Sequence, residues 1–111
     1  MATSKAHLSY TFIGPRKLRA VAELVRGKNA GEALHILKFT DKKGARILTK
    51  VIQSAIANAD QKGKVDVDNL FVQEVDVGQG MIHYRVIPRA RGSASWIRKR
   101  TSHVTVELGE K

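Results

Sequence analysis

The feature that most limits how this chain can fold is an acid-free basic segment close to the C-terminus. Residues 79–103 carry six Lys and Arg side chains and no Asp or Glu. So many uncompensated cations do not fit a buried core, and a solvated surface normally mixes both signs of charge. Yet Ile82, Tyr84 and Val86 are residue types that favour extended chain over disorder. We therefore expect an ordered, extended segment on the outside of a folded body, in contact with a polyanion.

Strand patterns flank this segment on both sides. Leu70 to Val77 is rich in β-branched residues, and Val104, Val106 and Leu108 alternate with polar residues. The roughly 25 residues between them far exceed an ordinary hairpin loop. If both strands continue into the segment, each half of about 15 residues reaches on the order of 50 Å, farther than a body of this size. Residues 79–103 are therefore predicted to form a protruding basic β-hairpin arm, with a bend at Gly78-Gln79-Gly80.

The N-terminal part predicts one strand followed by a helix. Leu8, Tyr10 and Phe12 alternate with polar residues, which is typical of a half-buried strand. Pro15 suits the first turn of a helix, and Gly27 suits its end. The apolar residues between them have the spacing of one helix face: Leu18, Val21, Ala22 and Val25.

Two more helices are predicted before the late strands. Asn29 and Glu32 have capping-box spacing ahead of a short helix through Leu37. Thr40 or Asp41 can cap the third helix, and Gly63 follows its end. Its apolar stripe is the longest in the chain: Ile47, Leu48, Val51, Ile52, Ala55, Ile56 and Ala59. The expected fold is a single α+β domain over residues 1–111, with three helices packed on a small antiparallel three-stranded sheet that carries the arm.

The composition excludes several classes of protein. The chain has 20 Lys and Arg against 10 Asp and Glu, a formal net charge of +10, and no Cys. Thiolate metal sites, cysteine nucleophiles and a disulfide framework are therefore excluded. No apolar run approaches the roughly 18 residues that a membrane span requires, and the N-terminus does not resemble a signal peptide. We expect a soluble intracellular protein without a metal or cofactor.

The cations form two candidate nucleic-acid-binding groups, because Arg and Lys bind phosphate. The first, on the first helix and just after it, has five bases against one acid: Arg16, Lys17, Arg19, Arg26 and Lys28. The second lies on the arm, with two polar neighbours: Arg85, Arg89, Arg91, Arg98, Lys99, Arg100, Ser102 and His103. An exposed helix face is often charged for solubility alone, so the first group is the more ambiguous. Charge does not distinguish RNA from DNA, and a DNA-binding architectural protein is the alternative.

Catalysis is not predicted. The four histidines, His7, His35, His83 and His103, could supply the acid and base of a metal-free ribonuclease. However, their spacing matches no metal-binding motif, and no nucleophile or carboxylate set accompanies them. Trp96 suits either packing or base stacking. We expect no catalytic residue and no enzyme.

Three motifs, in order, resemble the family of large-subunit ribosomal protein twenty-two in its bacterial form. The first is Gly14-Pro15-Arg16-Lys17-Leu18-Arg19 with Leu24-Val25-Arg26-Gly27-Lys28. The second is Ser54-Ala55-Ile56-Ala57-Asn58-Ala59. The most specific is Pro88-Arg89-Ala90-Arg91-Gly92 with Lys99-Arg100-Thr101-Ser102-His103-Val104-Thr105-Val106.

The resemblance implies a structural constituent of the ribosome, in the cytoplasm or an organelle. It implies binding to large-subunit (23S) ribosomal RNA, contacts with neighbouring ribosomal proteins, help in subunit assembly and no homo-oligomer. It also implies that the hairpin tip lines the exit tunnel and meets the nascent polypeptide. The residues expected at that tip are Gly80, Met81, Ile82, His83, Tyr84, Arg85 and Arg89.

Overall fold

The computed structural model describes residues 4–62, 67–88, 92 and 94–110, with backbone alone at 67, 83, 85, 87 and 94–98. Three helices and a three-stranded sheet make up the described chain, which confirms the predicted α+β class. In chain order the elements are β1 (Ser4–Thr11), α1 (Pro15–Ala22), α2 (Ala30–Lys38), α3 (Lys43–Gln61), a short 3-10 turn (Val67–Asn69), β2 (Leu70–Pro88) and β3 (Ala94–Glu110).

The sheet has the order β1-β3-β2 and is antiparallel throughout. The last strand is therefore the central one, and its C-terminal half pairs on both sides: Val106 lies between Ala6 of β1 and Val75 of β2. This arrangement buries Val104, Val106 and Leu108 completely. It leaves β1 and β2 as the two edges of the sheet.

The core forms where the helices pack on one face of this sheet. The predicted stripe of α3 is confirmed, since Leu48, Ile52 and Ala55 are fully buried, although Ile47 and Ile56 are only partly so. Each apolar side chain fully removed from water contributes roughly 1.5–3 kcal/mol, so this stripe is the main attachment of α3. Ser4 adds a buried polar link, its hydroxyl donating to the carbonyl of Ala55 at 2.9 Å.

The helix boundaries differ in part from prediction. Asn29 caps α2 as expected, its side chain accepting from the amide of Gly31 at 2.9 Å. The capping residue of α3 is Lys42, without a side-chain bond, so the prediction of Thr40 or Asp41 was wrong. The Thr40 hydroxyl instead donates to the carbonyl of Ile36 at the end of α2. Gly63, expected to follow α3, lies outside the described residues.

The predicted apolar face of the first strand is wrong. Tyr10 and Phe12 are 54% and 64% exposed, and Leu8 is also exposed. The pairing of β1 with β3 shifts register between Leu8 and Thr11, and Tyr10 has a positive φ of 56°. This irregularity breaks the two-residue alternation, so Ile13 enters the core in their place.

The buried apolar residues of β2 do not follow a regular two-residue alternation, because the pairing of β2 with β3 contains a bulge. Val72 pairs with Leu108, whereas Glu74 pairs with Glu107, so Gln73 is an extra residue on β2. The bulge lets Val72 and Val75 face the core although they are three positions apart.

Beyond the body, β2 and β3 continue as a two-stranded hairpin. Pairing runs from Gln79 with Ser102 to Pro88 with Ala94, and no described side chain of β2 after Val77 is buried. The molecule measures 64 × 24 × 18 Å, as expected for a small body with a protruding arm. Most of the long connection predicted between the late strands therefore belongs to the strands, since β2 extends to Pro88 and β3 begins at Ala94.

The position of the tip differs from the prediction. The chain reverses between Pro88 and Ala94, where Gly92 has a φ of 76°. Residues 80–85 lie earlier on β2, where Ile82 pairs with Arg100 and Arg85 with Ile97. Gly80, Met81, Ile82, His83, Tyr84 and Arg85 are thus shaft residues, because β2 stays paired as far as Pro88. Arg89 lies outside the described residues.

Candidate nucleic-acid interface

The side chain of Arg19, on α1, is hydrogen-bonded to the backbone of the protein's own sheet. Its guanidinium donates from Nε and Nη2 to the carbonyl oxygen of Val77, at 3.3 and 2.9 Å. Val77 lies on the outer edge of β2, where carbonyls have no neighbouring strand. The bond therefore holds α1 against the sheet and satisfies an open edge.

Arg26 likewise donates to a backbone carbonyl of β2, two residues before Val77. Its Nη2 donates to the carbonyl of Val75 at 2.7 Å, its Nη1 donates to Glu23, and its Nε lies 3.7 Å from a carboxylate oxygen of Glu74. Next to it, the Val72 amide donates to the carbonyl of Lys28 at 2.8 Å. Two of the five cations predicted to bind nucleic acid in this region, Arg19 and Arg26, are thus engaged in covering β2. All five remain exposed to solvent.

A cationic groove lies where the arm leaves the body. It has a volume of about 560 Å³, and its lining contains four cations, Lys17, Lys43, Lys99 and Arg100, and no acid. The other lining residues are Phe12, Ile13 and Gly14. We call it the shoulder groove. It joins the start of α1, the start of α3 and the base of the arm, so cations far apart in sequence face one space.

Two side-chain hydrogen bonds to the backbone of Phe12 and Ile13 shape the shoulder groove. Ser102 is fully buried, and its hydroxyl donates to the carbonyl of Ile13 at 2.6 Å. Lys43 donates to the carbonyl of Phe12 at 3.0 Å. Ser102, predicted to touch nucleic acid, instead fixes the segment that forms one wall, because its burial leaves no surface for direct contact.

His103 lies half-buried beside the first strand. Its Nδ1 accepts from the amide of Tyr10 at 3.3 Å, and the two rings meet edge to face with centroids 4.6 Å apart. His7 stacks on it at 6.1 Å and shares a 2.7 Å hydrogen bond with the Thr105 hydroxyl. These contacts give both histidines structural partners.

His35, the third histidine whose side chain is described, also has an aromatic partner. His35 lies on α2, with its ring edge to face on Phe39 at 5.0 Å. Among the residues that the structure describes, no group of three or more His, Asp or Glu could hold a metal ion.

Within the same part of the chain, no helix is long and apolar enough to cross a membrane.

The arm carries the second predicted group of cations. Lys99 and Arg100 are exposed on β3. Arg85 and Arg98 are placed on opposite strands by pairing with Ile97 and Tyr84. The side chains of His83, Arg85, Trp96 and Arg98, and all of Arg89 and Arg91, lie outside the described part of the structure.

A close approach between Gly80 on β2 and Thr101 on β3 shapes the shaft of the arm. The pairing shifts register between Gln79 and Ile82, and the Thr101 hydroxyl donates to the carbonyl of Met81 at 2.6 Å. A Cβ on Gly80 would lie 2.5 Å from that hydroxyl oxygen. The bend predicted at Gly78-Gln79-Gly80 is thus a bulge that requires glycine at position 80. Met81, Tyr84 and Val86 remain exposed beyond it.

One further cationic surface was not predicted from the sequence. Lys38, Lys42, Arg46 and Lys50 line a groove between α2 and α3. The signal was available, because residues 42, 46 and 50 have the i, i+4, i+8 spacing of one helix face. The three cations do not stand out in the sequence, because Glu32, Asp41 and Asp60 lie in the same stretch of chain.

Comparison with known proteins supplies the deciding observation. Residues 6–109 match the family model of Ribosomal protein L22p/L17e. The chain belongs to this family. The resemblance to large-subunit ribosomal protein twenty-two is therefore confirmed, and the match spans nearly the whole chain.

Individual relatives match this chain over nearly their whole lengths. A large ribosomal subunit protein uL22 of Syntrophotalea carbinolica is 51% identical over 108 residues, 97% of this chain and 98% of the relative. That of Maridesulfovibrio salexigens is 54% identical over 107 residues, 96% and 97% of the two chains. That of Desulfitobacterium hafniense is 50% identical over 111 residues, 100% of this chain and 97% of the relative.

Family membership decides three predictions. The chain is a ribosomal protein of the large subunit, it is not an enzyme, and its place is the cytoplasmic ribosome, as for its bacterial relatives. The alternative of a DNA-binding architectural protein loses its basis, because charge alone had suggested it.

Proposed function

We propose that this protein binds large-subunit (23S) ribosomal RNA through the shoulder groove and the arm together. The observation that carries the proposal is the groove itself, in which Lys17, Lys43, Lys99 and Arg100 face one space without an acid among its lining residues. Four like charges repel one another there, and a chain of phosphates would relieve the repulsion.

The arm extends this contact into folded RNA. A two-stranded ribbon is marginally stable alone, so its length is explained best by a partner that encloses it. The cations predicted on it, Arg85, Arg89, Arg91, Arg98, Lys99 and Arg100, would neutralise phosphates along its course. A body and an arm that bind RNA segments far apart would hold them together, which is how the protein would assist subunit assembly.

The outer part of the arm, from Met81 to the chain reversal, is proposed to line the exit tunnel and to meet the nascent polypeptide. This part rests on the family's architecture and on the exposed apolar side chains of the shaft, Met81, Tyr84 and Val86. Such residues are costly on a surface packed only against phosphate, and they suit the wall of a passage for peptides. Neighbouring large-subunit proteins would contact the body, and no homo-oligomer is proposed.

Binding to a folded fragment of large-subunit ribosomal RNA, measured over a series of salt concentrations, tests the proposal. Replacing Lys99 and Arg100 by Ala should weaken binding and reduce the salt slope by about 1 to 2, because each lost phosphate contact removes roughly 0.7–0.9. The matched control is Lys5→Ala with Lys62→Ala, which removes equal charge; Lys5 pairs with Glu107, at the end of β1 away from the arm. Equal slopes for the two double variants would refute the assignment.

A competition experiment separates RNA from DNA. Folded ribosomal RNA should displace labelled RNA far better than duplex DNA of equal phosphate content, because an arm fitted to folded RNA reads shape as well as charge. Equal displacement by the duplex would reduce the proposal to general polyanion binding.

A further inference from the structure

The groove between α2 and α3 is a separate cationic surface, which we call the helix groove. It has a volume of about 1030 Å³, and its rim carries Lys38, Lys42, Lys43, Arg46 and Lys50 against one acid, Asp41. Only Lys43 is shared with the shoulder groove. The balance of five cations to one acid calls for an anionic occupant.

Three cations at the start of α3 are arranged in a row, of which Lys42 is the capping residue and Arg46 and Lys50 lie on the helix. Lys42, Arg46 and Lys50 follow one another at intervals of four residues, about 6 Å each along the helix axis. All three side chains are exposed. A row about 12 Å long fits successive charges on a chain, whereas a single small anion would need one converging cluster.

Phe39 supplies an aromatic ring to the lining of the same groove. Phe39 is 73% exposed, the highest fraction among the described large apolar side chains. Its ring is held edge to face by His35, with centroids 5.0 Å apart, and Lys38 Nζ lies 5.9 Å from the ring centroid. The ring is therefore oriented by two neighbours while remaining open to water, and one face can accept a flat partner.

We propose that the helix groove binds an unpaired segment of RNA, with one base stacked on Phe39 and the adjoining phosphates on Arg46 and Lys50. The inference rests on the proposed function and adds a second site, specific for single-stranded nucleotides. A duplex hides the faces of its bases, so stacking on a side chain selects an unstacked base. An acidic peptide would use the cations but not the ring face, which is why RNA is the occupant that fits both features.

Proton NMR of the full chain titrated with a nine-residue oligouridylate tests the site. The ring signals of Phe39 and the base protons of the RNA should move upfield together, as stacked rings shield one another. Phe39→Ala should weaken binding at this site about fivefold or more, the usual range for loss of one stacked base, and Phe39→Trp should retain it. Leu24→Ala, which removes another exposed apolar side chain outside the groove, is the matched control and should leave binding unchanged.

Three outcomes would overturn the inference. The Phe39 signals could stay unmoved while those near Lys99 and Arg100 shift, which would locate RNA elsewhere. Phe39→Ala could bind like Leu24→Ala. A decaglutamate peptide could produce the same ring shifts as the RNA, which would show an acidic chain as occupant.

Failure of this site can be told apart from failure of the proposed function. If the wild-type protein does not bind folded ribosomal RNA, the proposed function fails. If it binds with the expected dependence on Lys99 and Arg100 but shows no effect of Phe39, the helix-groove site alone fails. In the complex with folded ribosomal RNA, one unpaired nucleotide should be more reactive to chemical probes with Phe39→Ala than with the wild-type protein. An identical reactivity pattern for the two proteins would count against stacking.

Discussion

Arg19 reaches across from α1 to the carbonyl oxygen of Val77, with two guanidinium nitrogens at 3.3 and 2.9 Å. The two residues are 58 positions apart in sequence, and their bond closes the exposed edge of β2 beside the base of the arm. A cation that the sequence offered as a nucleic-acid ligand is thereby a structural clamp. Part of the positive charge of this ribosomal protein therefore stabilises its own sheet, and the cations proposed to bind RNA are a different set.

Removing this clamp should lower the stability of the body. Arg19→Ala should reduce the free energy of unfolding by about 1–2 kcal/mol, because a hydrogen bond from a charged group to an edge carbonyl is lost. Arg16→Ala, at an exposed position on the same helix, should stay within about 0.5 kcal/mol of wild type. Chemical denaturation followed by circular dichroism gives both values, and equal stabilities would show that the clamp is dispensable.

Ser102 should matter for folding more than for direct contact with RNA. Ser102→Ala removes the donor to the buried carbonyl of Ile13 and should cost about 1–3 kcal/mol of unfolding free energy. Ser54→Ala, at an exposed position of α3, is the matched control and should cost little. If Ser102→Ala weakened RNA binding with no loss of stability, a direct contact would have to be reconsidered.

The two glycines at the base of the arm offer a matched pair. Gly80→Ala should disturb the bulge, since its Cβ would lie 2.5 Å from the Thr101 hydroxyl oxygen, whereas Gly78→Ala meets nothing within 4 Å. We expect large amide shifts around Met81 and Thr101 for the first variant and small ones for the second. Adding Thr101→Ala should relieve part of the disturbance, because it removes the clashing oxygen; additive effects in this cycle would contradict the packing described.

Amide hydrogen exchange should divide β2 into two parts in the free protein. Backbone amides of the arm, around Tyr84 and Val86, should exchange faster than those around Val72 and Val75, since the latter lie under the helices and the former in a two-stranded ribbon. Binding to folded ribosomal RNA should slow the arm amides. Uniform slow exchange along the whole strand before binding would argue that the arm is stable alone.

The absence of cysteine makes the tunnel proposal directly testable. A Tyr84→Cys variant assembled into ribosomes should cross-link to a cysteine in a stalled nascent chain, because Tyr84 is exposed on the shaft of the arm. Lys5→Cys, on the body, should not. Cross-links from both positions, or from neither, would contradict the proposed path of the peptide.

Features that depend on neighbours in sequence were predictable from the residues. The buried stripe of α3, the Asn29 cap of α2 and the strand character of residues 70–77 and 104–108 follow from local spacing, since helix and strand periods assign residues to faces. The acid-free segment likewise indicated an arm, because extended-chain formers with one sign of charge have no place in a core.

Contacts between distant segments were decided by the tertiary structure. Arg19 and Arg26 become clamps because β2 is an edge strand, and Ser102 is buried where it donates to the carbonyl of Ile13, 89 positions away in sequence. Lys17, Lys43, Lys99 and Arg100 share a groove because two helices start where the arm begins. Periodicity along the chain assigns a side chain to a face, but the partner that the face meets depends on strand order and register, which local spacing does not encode.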